Sequence, residues 1–441
     1  MFRNYLKITW RNLIKNKIYS ALNIFGIAAA GSVAFIFEAP LIQNQMRKYL
    51  LLLLVTGVAL VNTARAQDKA GKLQGPDIDI IVFHSKVLKQ DRKVYIYNPD
   101  SNRYASYYLE KYPVLYELDA EIYMPWVTNQ LIFLSANNAA FPPMIVVGIE
   151  TFSYDRTMDM TPTSTTWGLD GKPGTVRQGG GAEKFLQFVR EEVMPYVEQH
   201  YKTAPFKIYS GHSLAGLNSA YCLLSHPDMF SAYIAMSPSL VWDNLWMMDY
   251  AAQKLNSKRL ENKYLFISDA VEFPLFNQTV SRFDQLIKEK GPAGLHELHI
   301  NYPLENHGSQ PPKAFFDGIR FIYPDWGIAI TDTTLALVKA HYRRLSERYG
   351  YTIDPPATYL NDWAYSLMGD FGKTDPAIEI FRYNVEQHPG KWEYYDSLGD
   401  GYAAKGDKQQ AISSYRKAIS LDPKNSGETQ NKLKALELGN K

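Results

Sequence analysis

Cysteine is almost missing from this chain. Cys222 is the single one among 441 residues, so no internal disulfide forms and no cysteine-based metal site has a partner. No Cys/His cluster shows metal-ligand spacing, and no glycine-rich loop of the P-loop type appears. The Gly179-Gly180-Gly181 run opens a helix but follows no strand or lysine pattern of a nucleotide site. No metal and no cofactor is therefore expected. Excess charge is missing too: 47 Lys and Arg stand against 45 Asp and Glu, a net of +2. No basic block follows the N-terminal region, which argues against a nucleic-acid partner. What is present is ordinary globular material, 46% hydrophobic and rich in tyrosine and phenylalanine. The length calls for more than one domain.

The front of the chain reads as two N-termini in series. Met46-Arg47-Lys48 opens a basic patch, residues 49–61 (YLLLLLVTGVALV) are apolar, and Ala64-Arg65-Ala66 has the small-x-small pattern of a signal-peptidase site. Residues 46–66 are thus expected to be a secretory signal peptide, with Gln67 the first mature residue. About 13 apolar residues are too few to span a bilayer. Upstream, Arg3, Lys7, Arg11, Lys15 and Lys17 precede about 20 uncharged residues, long enough to span. Residues 1–37 resemble the N-terminus of ABC-transporter permeases of the macrolide-exporter type. Residues 1–45 are read as a membrane segment from a gene fusion or an upstream start, with Met46 the original initiator. The expected location is periplasmic or secreted, or membrane-anchored if residues 1–45 are translated. No other membrane contact is expected.

Residues 77–324 alternate between strand and helix patterns. Residues 78–83, 93–98, 113–118, 143–149, 206–210, 230–236 and 263–268 read as strands. Residues 121–134, 181–200, 214–224 and 312–321 read as helices. This alternation predicts an α/β fold with a mainly parallel central sheet. At one strand-to-helix junction stands Gly211-His212-Ser213-Leu214-Ala215. A serine between small residues at such a junction has the form of a nucleophile elbow, which lifts its hydroxyl above the sheet at a helix start. There the Leu214 N–H and the helix dipole can stabilise an oxyanion.

The base follows the serine in this architecture. His307, in the polar loop Glu305-Asn306-His307-Gly308-Ser309 after a strand, is the candidate, because such sheets present function at the carboxyl ends of their strands. The acid should follow residues 263–268, where Asp269 and Glu272 both qualify. A second oxyanion donor is expected from the backbone of Ala120 or Glu121. Asp155, Arg156 and Trp242 are candidates for a substrate pocket, with the Gly/Pro/Thr-rich stretch to Thr175 as a lid or wall.

From about residue 77 to 324 the chain resembles a bacterial esterase family. It includes siderophore esterases of the enterobactin and bacillibactin type and relatives of esterase D and of mycolyltransferases. The segments YPVLYELDAE, PPMIVVGIE, DRTMDMTP, YSGHSLAGL, FSAYIAMSPSLVWDN and ENHGS carry the resemblance. It implies an α/β-hydrolase fold, Ser213 as nucleophile, His307 as base and Glu272 rather than Asp269 as acid. Some members work with a Ser–His pair alone. Ala120 and Ala215 stand where relatives carry glycine. Each is expected to add a methyl beside the oxyanion hole and slow the reaction.

Residues 331–441 read as all-α. Ala377, Phe381 and Pro389 recur about 34 residues later as Ala411, Tyr415 and Pro423, a tetratricopeptide period. Repeats are placed at 358–391 and 392–425, and the amphipathic stretch 334–349 is expected to dock them on the hydrolase. The expected function is a secreted serine esterase acting on a small-molecule ester. The alternatives are an acyltransferase on the same residues, or an inactive interaction protein whose repeats hold a protein or peptide.

Overall fold

A computed structural model describes residues 76–101, 109–136, 140–328 and 334–438. The N-terminal signal-peptide and membrane-segment readings fall outside these residues. Among the described residues no helix is long and apolar enough to cross a membrane.

An eight-stranded sheet organises the hydrolase region. Its strands are β1 (Ile78–Ser85), β2 (Gln90–Tyr97), β3 (Tyr112–Leu118), β4 (Ile145–Ile149), β7 (Thr203–His212), β8 (Ala232–Met236), β9 (Tyr264–Val271) and β10 (His296–Asn306). Their spatial order is β1-β2-β4-β3-β7-β8-β9-β10. The β1–β2 and β2–β4 pairs are antiparallel and the other five are parallel. Every residue of β3, β4 and β8 is buried. These strands lack alternation because helices cover both faces of a parallel sheet, so each side chain enters a core. Each large apolar side chain buried there contributes roughly 1.5–3 kcal/mol.

Helix α1 (Ala120–Ala136) follows β3. Where a loop serving as a lid or wall was expected after β4, the chain forms a short helix α2 (Arg156–Met160) and a hairpin of β5 (Thr165–Trp167) and β6 (Pro173–Arg177). Helix α3 runs over 182–200 but is not regular. A π-helical turn, Val189–Val193, separates Ala182–Phe188 from Met194–His200. Pro195 explains it: the missing N–H breaks the ladder, and the backbone widens to absorb the loss. Helix α4 (Leu214–Ser225) follows β7, α5 (Trp242–Lys254) follows β8, α6 (Pro274–Lys290) follows β9 and α7 (Pro311–Ile322) follows β10.

Helix α8 (Leu335–Tyr349) packs the C-terminal region onto the hydrolase. The Tyr349 ring meets Phe206 at 5.2 Å and Tyr323 at 4.9 Å, and its hydroxyl donates to the Ile322 carbonyl. His341 pairs with the Trp326 carbonyl at 3.0 Å. Five helices follow: α9 (Ala357–Gly369), α10 (Thr374–Gln387), α11 (Trp392–Lys405), α12 (Lys408–Leu421) and α13 (Gly427–Leu438). Small residues let them approach: a Cβ on Gly399 would lie 2.4 Å from the Tyr415 ring. Asp400 accepts from Tyr365 and Tyr415 and pairs with Lys432, which joins α9, α11, α12 and α13.

Candidate active site

Ser213 stands at the end of β7, at φ 63° and ψ −119°. This is a strained conformation for a residue with a Cβ. The turn survives because its neighbours are small. A Cβ on Gly211 would lie 2.6 Å from the Ala215 backbone, and one on Gly216 would lie 2.9 Å from the Met236 carbonyl oxygen. The Ser213 N–H donates to the Met236 carbonyl on β8, which pins the turn to the neighbouring strand.

His307 follows β10 directly. Its Nδ1 pairs with Glu272 Oε1 at 2.8 Å. Glu272 lies just past β9 and its carboxyl group is largely buried, while the imidazole is 40% exposed. Glu272 therefore partners His307, and Asp269 does not. Asp269, within β9, pairs with His299 Nε2 at 2.9 Å and accepts from Asn277. Burial alone would raise its carboxyl, but the bonds from His299, Asn277 and Asn301 outweigh it and hold it below its ordinary range.

Two residues without a motif of their own support Glu272. The Ser237 hydroxyl donates to Glu272 Oε1 at 2.7 Å, and Gln310 Nε2 donates to Ser237 Oγ. Both are fully buried. The one sequence signal was the Met236-Ser237-Pro238-Ser239 segment at a strand's carboxyl end. Its other serine also matters, since Ser239 Oγ lies 3.3 Å from Ser213 Oγ. In this resting arrangement no hydrogen bond joins Ser213 to His307 among the described residues. Their closeness shows in His212, whose ring lies 4.4 Å from that of His307. Phe276 closes the other side of the imidazole edge-on at 5.7 Å. His212 Nδ1 pairs with the Tyr123 hydroxyl. Burial, then the nearby His307 and Arg156, push the His212 imidazole down to about 3, so it places no charge beside the His307 ring at neutral pH.

Two helix starts meet at this point. Strands β3 and β7 are neighbours with Glu117 opposite Ser210, which sets Asp119-Ala120 beside His212-Ser213. Leu214 opens α4 and Ala120 opens α1. First-turn amides have no intrahelical acceptor, so the Leu214 and Ala120 amides are available donors. The Glu121 amide, also in the first turn, is available in the same way, while the Glu121 carboxylate receives the Thr151 and Phe152 amides and ties down the loop after β4.

The two alanines do not crowd the hole as expected. The Ala120 methyl is buried against β4, where a Cβ on Gly148 would lie 2.7 Å from it. The Ala215 methyl is buried against Gly211. The three pocket candidates each have partners within the fold. Asp155 caps α2 by accepting from the Met158 amide. Trp242 is 3% exposed, and its indole donates to the Thr163 carbonyl. Trp242 is thereby closed off from open space, whereas Asp155 stays exposed at the surface. Arg156 is bound to Asp119 and to the His212 carbonyl. The stretch expected to be a lid or wall forms the β5–β6 hairpin, whose tip at Gly171 reaches Leu275 at the start of α6. Among the described residues no group of three or more His, Cys, Asp or Glu side chains is placed to hold a metal ion.

Residues 85–267 match the Putative esterase family, and residues 392–425 match the tetratricopeptide repeat. The ferri-bacillibactin esterase BesA of Bacillus subtilis (strain 168) is 33% identical over 231 residues, which cover 48% of this chain and 80% of that protein. The chain belongs to this esterase family. The siderophore enterobactin esterase of Emericella nidulans is 34% identical over 209 residues, 39% of this chain and 67% of its own length. An IroE-like serine hydrolase from Shewanella oneidensis superposes with a TM-score of 0.62 at 27% identity. That match covers 70% of this chain and 99% of that one. These relatives identify a carboxylic ester hydrolase, and the repeat match places a tetratricopeptide repeat in its C-terminal helical region. Neither family match reaches residues 1–75, and the resemblance of residues 1–37 to a permease is not among the matches.

Proposed function

We propose that this esterase is a secreted serine hydrolase that cleaves its ester through an acyl-enzyme on Ser213. The Glu272–His307 pair carries the reading: it stands beside a serine held in a strained elbow, with two helix starts at the same place. Ser213 Oγ turns from Ser239 towards His307, which takes its proton as the oxygen attacks the ester carbonyl. Resting sites often hold this bond long or unmade until substrate arrives. Glu272 fixes the His307 tautomer by accepting from Nδ1–H and stabilises the imidazolium. The Leu214 and Ala120 amides take the oxyanion. His307 then protonates the departing alcohol, and water releases the acyl group by the same steps in reverse.

For the substrate, the relatives' names favour a siderophore ester. The signal-peptide pattern at 46–66 supports export. The test uses residues 67–441 and 4-nitrophenyl acetate and butyrate, beside Ser213→Ala. Wild type is expected to turn over and to take a fluorophosphonate label on Ser213. The variant should lose as much as ~10⁶ in kcat. Equal rates for the two proteins, or a label elsewhere, overturn the mechanism. Siderophore esters then extend the screen.

A further inference from the structure

The strands β3 and β7 lie side by side, and two residues beyond each stands an amide, Ala120 or Leu214, that the proposed mechanism gives to the oxyanion. The sheet brings those two ends side by side, but the last β3–β7 register pair is Glu117 with Ser210, so no rung joins the two strands beyond it. One side chain spans them. Arg156 Nε donates to Asp119 Oδ1 at 2.8 Å, and Nη2 donates to Asp119 Oδ2 at 2.6 Å. The same Nη2 donates to the His212 carbonyl at 3.2 Å. Asp119 precedes Ala120, and His212 precedes Ser213 and Leu214. A planar guanidinium that grips a carboxylate with two bonds holds it in distance and in angle, which an ammonium does not.

Asp119 needs to be held. Its backbone is left-handed, at φ 55°, and its carboxyl is 1% exposed. It also accepts from the Thr151 hydroxyl. Arg156 in turn stands on a fixed base. Asp155 caps its helix α2, Arg92 grips Asp159 with two bonds of 2.6 and 3.0 Å, and Asn218 of α4 donates to the Asp159 carbonyl. The helix that follows the elbow thus anchors the helix that carries Arg156. Phe152 lies 4.7 Å from the guanidinium carbon and shields it from water.

We propose that Arg156 is a positioning residue: its fork joins Asp119 to the His212 carbonyl and so sets the Ala120 and Leu214 amides at the spacing an oxyanion requires. This rests on the serine mechanism above. Arg156 reaches the reaction through these two residues and makes no bond to substrate. Donors that must meet a developing charge need placement to within about half an ångström, so the clamp acts on the transition state and leaves the ground state alone.

The experiment compares wild type with Arg156→Lys, Arg156→Gln and Asp119→Asn, alone and combined, on 4-nitrophenyl butyrate. A boronic acid that forms a tetrahedral adduct on the serine serves as the probe of the hole. In Arg156→Gln, kcat is expected to fall about 10- to 100-fold, less than or near the loss of one whole oxyanion donor, while KM stays within about twofold. Arg156→Lys should lie between. The boronate inhibition constant should rise by the same factor as kcat falls. The Arg156→Gln/Asp119→Asn pair should be no worse than the more damaged single variant, as for residues that act as one unit. A loss confined to KM, or one larger for the anionic mono-4-nitrophenyl glutarate than for the butyrate, makes Arg156 a substrate contact and overturns the proposal. So does a fall in kcat with unchanged boronate affinity, or no change at all. If Arg156→Gln does not fold, Arg156→Lys and Asp119→Asn decide by the same criteria. An active wild type with unaltered variants sinks only the clamp. A wild type that neither turns over nor takes a fluorophosphonate label sinks the serine mechanism, and the clamp with it.

Discussion

At the scale of single residues, this site depends on atoms that are missing as much as on those present. Gly211 and Gly148 have no Cβ, and their empty positions receive the methyls of Ala215 and Ala120. A reading based on family pattern treats those alanines as a burden on the oxyanion hole. The structure packs the Ala120 methyl against Gly148 of β4 and the Ala215 methyl against Gly211. Ala120→Gly is therefore expected to leave kcat within about twofold of wild type. Because the residue opens a helix and packs against β4, the variant should also be less stable by roughly 0.5–1 kcal/mol. Steady-state kinetics and a urea unfolding curve check both. A several-fold gain in kcat would show that the methyl does obstruct the hole. Arg156 and Trp242 carry a similar lesson. A polar or aromatic side chain near a cleft suggests substrate contact, yet these two are bound to backbone and carboxylate partners nearby.

At the scale of elements, the turn between β9 and α6 decides which carboxylate serves the base. Asn277 accepts from the Glu272 amide and donates to Asp269 and the Ala270 carbonyl, which folds the turn onto itself. Asp269 stays inside β9, opposite Asn301 on β10, where His299 covers it. Glu272 is three residues on, past the last rung, and free to reach His307. The His299 imidazole lies between Asp269 at 2.9 Å and Asp284 at 3.5 Å. Burial works against its charge, but the bonds and charges of Asp269 and Asp284 prevail and raise it above its ordinary 6.5. The folded chain thus holds this proton more tightly than the unfolded one. The stability it contributes is complete below about pH 6.5 and is lost as pH rises through the raised value, with a slope of at most roughly 1.4 kcal/mol per pH unit. Denaturation midpoints of wild type and His299→Gln should differ most near pH 6 and converge towards pH 9. A gap of constant size would mean that His299 packs there without its charge.

At the scale of the whole molecule, the hydrolase and the helical region share one packed interface. Tyr349 is its centre: it is 5% exposed, touches Phe206 and Tyr323, and donates to the Ile322 carbonyl. Trp326, also fully buried, meets Tyr342 of α8 edge-on. The aromatic cluster covers residues from β7, from the end of α7 and from α8, so removing one ring leaves a cavity that none of the three elements can fill alone. Tyr349→Ala is expected to cost about 3–5 kcal/mol and to lower the thermal unfolding temperature. If the hydrolase core melts at an unchanged temperature and only helical signal is lost early, the interface does not couple the two regions.

The strand and helix alternation, the elbow, the loop histidine after a strand and the 34-residue period were all legible in the sequence. Each is a local pattern: a run of buried apolar residues, a tight turn between small side chains, or a repeated helix face. Local backbone preferences and periodic burial produce them wherever they occur. The partners of those residues were not legible. Ser237 and Gln310 behind Glu272, Ser239 at the nucleophile, and Arg156 across Asp119 and His212 join positions from about 25 to 75 residues apart. No spacing rule links such positions. They meet only because parallel strands bring their carboxyl ends to one edge, and the order of those strands is set by the packing of the whole sheet.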